Sequence, residues 1–227
     1  MGASVTESVF SFLKKLENNN NRDWFNENKK EFKNVEGDVK QVYNVLLEKL
    51  RLHDDIDKLK LFRIYRDVRF SKNKLPYKTN FGGAYHRTKP HLRGGYYMHL
   101  QANNESFIAA GFWEPNTDDL LRIRKEFEMD DTEIRAILNA KSFNSVWGNS
   151  FAGESVKTAP KGFNKDHAAI DLIKMKQFMF IKKYTDTQVI SQDFLEHVTN
   201  DFKAVRPFFD YMSEVLTTDL NGVSLIG

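Results

Sequence analysis

No cysteine occurs in the chain. That excludes disulfide staples, cysteine-ligated zinc, iron–sulfur clusters and thiol nucleophiles, and it fits a reducing compartment. No uninterrupted apolar run approaches the roughly 18 residues of a spanning helix. The first twenty residues place Glu7, Lys14, Lys15 and Glu17 among apolar positions, as an amphipathic helix does and a signal peptide does not. A cytoplasmic location without a membrane partner is therefore expected. Acid is the other scarcity. Between Lys60 and Arg93, Asp67 is the one acidic residue against ten Lys or Arg. That block carries +9 while the whole chain carries +3, so the remainder is net negative by six.

What is present suits a folded core: 41% apolar residues and 19 Phe among 227. Val9, Phe10, Phe12, Leu13 and Leu16 recur at helical spacing. The run NNNN at 18–21 breaks that helix, and Asn21 is suited to cap the next. An apolar stripe then runs from Trp24 and Phe25 to Leu50, weakened at Gly37 and ended by His53-Asp54-Asp55. Phe62, Ile64, Val68 and Phe70 alternate, which predicts a half-buried strand at least to about Arg66. Pro76 puts SKNKLPYK in a turn or loop.

Two apolar runs flank Asn103-Asn104 and predict a hairpin, about 95–102 with 106–113, ended by Pro115. Thr117 with Asp118 and Asp119 opens a helix, and Asp130 with Glu133 opens another. A strand is placed at Ser155–Thr158, a helix from Asp166 through Met175, and a strand at FMFIKKY, 178–184. The last helical stretch, from Asp193, is bent or split at Pro207. The fold class is α+β: a mainly antiparallel sheet flanked by N-terminal and C-terminal helices in a single domain over 1–227. It is helical over 1–56, sheet-rich over 60–115 and mixed over 116–227.

Five motifs carry a resemblance. They are NNRDWFNENKKEF (20–32), RIYRDVRFSKNKLPYKTNFG (63–82), GYYMHL (95–100), GFWEP (111–115) and APKGFNKDHAAIDLIKMKQF (159–178). Together they resemble a widespread family of conserved proteins of about this length in bacteria and fungi, catalogued as a domain of unknown function. The resemblance implies one compact domain. It implies no activity, cofactor or catalytic residue.

The residues themselves point to an anion. RIYRDVRFSKNKLPYKTN (63–80) holds six Lys or Arg and one acid. Arg66 falls on the apolar face of the predicted strand, either as half of a structural ion pair or as a planar donor fork for a carboxylate or phosphate. Arg63, Arg69, Lys72, Lys74 and Lys78 cluster with Tyr77, and the turn amides near Lys72 can form an anion nest. Lys161, before the predicted helix start at Asp166, joins this set if the two loops meet. A phosphorylated or carboxylated small molecule is the first expected partner. Nucleic acid is the second, since aromatics interleave the charges, and an acidic protein is the third.

For acid–base chemistry the candidates are His99 or His167 with Asp67 or Glu114. His99 shares a polar strand face with Tyr97 and Gln101. No H-E-x-x-H or other metal spacing appears, so no metal is expected. The pattern singles out no cofactor, reaction or oligomeric state.

Overall fold

The computed structural model describes residues 4–226. Among them are ten helices: α1 (Glu7–Asn18), α2 (Arg22–Glu27), α3 (Lys29–Arg51), α4 (Thr117–Met129), α5 (Thr132–Asn139), α6 (Lys141–Trp147), α7 (Ile170–Ile173), α8 (Asp186–Val189), α9 (Phe194–Ala204) and α10 (Arg206–Thr217). Five strands, β1 (Ile56–Leu61), β2 (Phe81–Arg87), β3 (Gly95–Leu100), β4 (Ser106–Phe112) and β5 (Phe178–Tyr184), form one open antiparallel sheet in the order β1-β2-β3-β4-β5. With helices flanking that sheet, the fold is α+β. No helix among the described residues is long and apolar enough to cross a membrane.

The chain divides into two compact units: β1 belongs to the first, and β2 to β5 each contribute residues to both. The first comprises the described residues of Met1–Tyr85, with Tyr97–Ile108 and Lys183–Thr199. Its core is aromatic. Phe12 of α1 lies 5.9 Å from Phe32 of α3, and Phe25 of α2 stacks on Tyr77 at 3.9 Å. Asn21 caps α2 by accepting the Trp24 N–H at 3.0 Å. The apolar stripe does not continue as one helix, because Asn28, with φ −97 and ψ 14, separates α2 from α3. Tyr43 fastens α3 to the sheet: its hydroxyl donates to the Met98 carbonyl at 2.9 Å, and its own carbonyl accepts the Tyr85 hydroxyl at 3.1 Å.

The second unit comprises His86–Tyr96, Ala109–Lys182 and the described residues of Asn200–Gly227. Tyr96 meets Phe202 and Phe209 edge-on at 4.8 and 5.0 Å. Phe180 meets Phe143 at 4.9 Å and Phe208 at 5.0 Å. The indole N–H of Trp147 donates to the Asp201 carbonyl at 3.0 Å, which satisfies the one polar atom of a buried ring.

Four element assignments differ from the expectation. The strand expected from Phe62 at least to about Arg66 lies earlier, at Ile56–Leu61, and Phe70 is 96% exposed. Residues 62–80 leave the sheet as an excursion closed by an isolated Tyr65–Tyr77 bridge, with Arg66 N–H donating to Pro76 and Lys78 N–H to Ile64. The alternation there reflects Ile64 and Val68 turning inward from a loop.

The strand β2, FGGAYHR, has no counterpart among the expected elements, and it carries two adjacent glycines. They are required by packing. A Cβ at Gly82 would strike the Tyr97 ring, and one at Gly83 the Tyr43 ring. Finally, no helix starts at Asp166; only Ile170–Ile173 is helical, and Ser155 makes an isolated bridge to Met175 instead of a strand.

Candidate functional site

The excursion 62–80 belongs to the first unit and is positioned from outside itself. The side-chain amide of Asn20, within the NNNN run, donates to the Tyr77 carbonyl at 3.0 Å and accepts the Tyr77 N–H at 3.1 Å. This clamp and the Phe25 stack place Tyr77 in the core, 5% exposed.

Most of the basic side chains stitch the loop together. Arg66 donates to the Leu75 carbonyl at 3.1 Å and to Ser71 Oγ at 3.5 Å, so it closes its own loop and forms no ion pair among the described residues. Lys74 donates to the Val68 carbonyl at 3.0 Å. Arg69 forks onto Asp67 at 2.7 to 3.2 Å. That bond holds the Asp67 carboxyl below its ordinary range and commits it to charge pairing. Lys72 is exposed.

Three cations remain. Among the described residues the side chains of Arg63, Lys72 and Lys78 make no hydrogen bond and no ion pair, and of these Lys78 is the one in the field of the arginines. Lys78 is half-buried. Burial first, then Arg63 and Arg66, push its ammonium below the ordinary lysine value, and no acid counters them. Its Nζ lies 5.4 Å from the Phe62 ring centre, where Lys60 also sits at 5.3 Å. Phe62 in turn meets the Tyr97 ring at 6.2 Å.

Tyr97, His99 and Gln101 share one face because strand residues two apart point the same way. The His99 ring stacks on Phe107 at 4.5 Å. Its Nε2 lies 2.9 Å from Gln101 Oε1, and its Nδ1 lies 3.2 Å from the Tyr97 hydroxyl. A carbonyl oxygen only accepts, so Nε2 carries the proton and Nδ1 accepts the Tyr97 O–H. Burial is the main cause that depresses the His99 imidazole below 6.5. The Lys78 charge adds to it, while the Gln101 bond and Glu105 oppose it. Burial likewise raises the Tyr97 phenol. The face therefore offers a neutral imidazole, a neutral phenol and an uncompensated ammonium, all within the first unit.

His99 gives a testable pH dependence. The folded imidazole binds fewer protons than the unfolded one, so its contribution to stability is complete above 6.5 and is lost as pH falls through 6.5 towards the folded value. Urea midpoints of the wild type are expected to fall more than those of His99→Gln between about pH 7.5 and about pH 5.5, by at most about 1.4 kcal/mol per pH unit. Parallel declines would remove His99 as the cause.

The other sequence candidates lie in the second unit. Glu114 is exposed, next to Trp113 at 57%. His167 Nδ1 accepts the Ala169 N–H at 3.1 Å in a local turn. Lys161 is exposed and does not precede a helix start. Tyr97, Gln101, Phe62 and Phe107 were absent from the set of binding candidates. The polar alternation of β3 marked the first two; nothing in the sequence marked the aromatic neighbours.

No curated protein and no solved structure matches the chain. A family model does, over residues 8–211. The chain belongs to the DUF2461 family of conserved hypothetical proteins.

Proposed function

We propose that the protein binds a small phosphorylated or carboxylated ligand over the Tyr97–His99 face, with Lys78 and Arg63 as its charge contacts. One observation carries the reading: a half-buried lysine sits in the field of two arginines with no carboxylate partner. An anion relieves that repulsion and supplies the missing hydrogen-bond acceptor. The aromatic rings of Phe62 and Tyr97 provide the apolar wall beside it. An enzymatic role for His99 would require a bound ligand to take over one of its two hydrogen bonds, to Tyr97 or to Gln101.

Thermal-shift and calorimetric titration with inorganic phosphate, sugar phosphates, nucleotides and dicarboxylates at low salt tests this. A ligand that raises the melting temperature is expected to bind Lys78→Gln about 10-fold to 100-fold more weakly, the range of one charged hydrogen bond. The absence of a shift with every anion, or binding indifferent to Lys78, sinks the reading.

Nucleic acid is the second reading. Its support is Phe70, 96% exposed beside the Arg69 guanidinium at 6.0 Å, with Lys72 and Lys74 close in sequence: a ring free to stack on an unpaired base. Affinity for single-stranded oligonucleotides that falls steeply with salt and is lost in Phe70→Ala would favour it.

A further inference from the structure

In the second unit, α4, α5, α10 and the chain after α10 enclose a half-open cavity of about 180 Å³. Arg122, Glu126, Glu133, Glu214 and Asp219 are the charged groups of its lining, an excess of three negative charges. Two of the acids are engaged. Glu126 pairs with Arg122 at 2.6 Å, and Asp219 accepts the Asn221 and Val223 N–H groups at 2.8 and 2.9 Å. Glu133 and Glu214 are exposed, and their carboxylates have no hydrogen bond or ion pair among the described residues.

The acids alone would be an ordinary solvated cluster. Tyr211 makes the difference. It is 7% exposed and lines the same cavity, and its hydroxyl has no hydrogen-bond partner among the described residues. A buried hydroxyl without a partner is costly, and native structures seldom leave one. Burial and the fields of Glu126, Glu133 and Asp130 push the phenol well above its ordinary value. It stays protonated, with its O–H and its oxygen lone pairs both available. The rest of the wall includes Met129, Val215 and Leu220, methyl and methylene surface beside the carboxylates.

We infer that this cavity is a binding site for an alkylammonium group. The nitrogen takes the place that satisfies the Tyr211 hydroxyl and neutralises Glu133 and Glu214, while the methylene chain lies against Met129 and Val215. A bare divalent cation fits less well. Among the described residues no three His, Cys, Asp or Glu side chains are grouped to hold a metal, and a metal would leave the apolar wall unused. Two sources share the ligand chemistry, a free diamine or the side chain of a peptidyl lysine.

Calorimetric titration of the full chain at low salt tests this, with cadaverine and Nα-acetyl-lysine methylamide as probes and magnesium and pentanol as controls. Saturable binding of at least one amine at one site is expected, and the tighter of the two amines names the source. Tyr211→Phe is expected to weaken it about 10-fold or more, and Glu133→Gln with Glu214→Gln to abolish it. Without ligand, Tyr211→Phe is expected to melt at the same temperature as the wild type or higher, because it removes an unsatisfied group. Four results overturn the proposal. They are no saturable amine binding, equal binding of magnesium or pentanol, binding unchanged in Tyr211→Phe, and a lower melting temperature for that variant, which would mean the hydroxyl is engaged in the fold.

Discussion

Gly111→Ala is expected to lose about 3 kcal/mol of stability or more, a large share of the 5 to 15 kcal/mol typical of a domain. Gly111 lies inside β4 with φ +136, a conformation that L side chains rarely adopt. A methyl group there would also run into β5, meeting the Phe178 carbonyl and lying 2.5 Å from Met179 Cα. Both obstacles are backbone, so no rotamer change can relieve them, and the two strands must separate. The control is Gly37→Ala, in the middle of α3 with nothing within 4 Å of the new methyl. It should gain about 0.5 to 1 kcal/mol from reduced backbone freedom in the unfolded chain. Urea unfolding of both variants decides the matter. A Gly111→Ala midpoint within error of the wild type would show that the β4–β5 approach is looser than described.

Arg87→Met is expected to cost about 3 kcal/mol. Arg87 is 1% exposed at the end of β2. Its guanidinium lies 4.8 Å from the Phe209 ring centre, donates to the Arg93 carbonyl at 2.9 Å and to Ser213 Oγ at 3.2 Å, and faces Asp210 at 3.6 Å. Methionine keeps much of the volume but none of the donors. Asp210 is 58% exposed and simply rehydrates. The cost falls on the part-buried Arg93 carbonyl and on the lost packing against Phe209, while Ser213 Oγ keeps the Arg93 N–H at 3.1 Å. Arg87→Lys should not restore stability, because a point charge neither forks to two acceptors nor stacks flat on an aromatic ring. Denaturant midpoints measure this, and full stability in the lysine variant would place the contribution in charge alone.

How far the sequence reached depended on whether the signal was local. FMFIKKY was assigned to residues 178–184 and β5 occupies them, because a β-rich run between breakers has few alternatives. The Asn103-Asn104 turn was legible for a related reason: both residues take positive φ, 66 and 61, which asparagine tolerates. FGGAYHR failed because the reason for its glycines lies in Tyr43 and Tyr97, distant in sequence. IDKLKL failed because only Ile56 of its six residues is fully buried, so its alternation is thin. At the candidate site, position was legible but role was not. Arg66, Lys74 and Arg69 read like Lys78 in a charge count, yet the first three are bonded within their own loop and the last is not. Partner choice is a tertiary property, and charge runs do not encode it.

The strand order β1-β2-β3-β4-β5 has a kinetic consequence. The first four strands lie within Ile56–Phe112 and can pair in chain order, across the 62–80 excursion and then two shorter loops. β5 reaches the same sheet only after residues 113–177 have been spanned, with four helices among them. Closing that longest loop carries the largest entropy of any pairing in the sheet. The pairing of β5 is therefore expected to come last. The edge of β4 that awaits it includes Gly111, where even a methyl group would bar the final strand from docking.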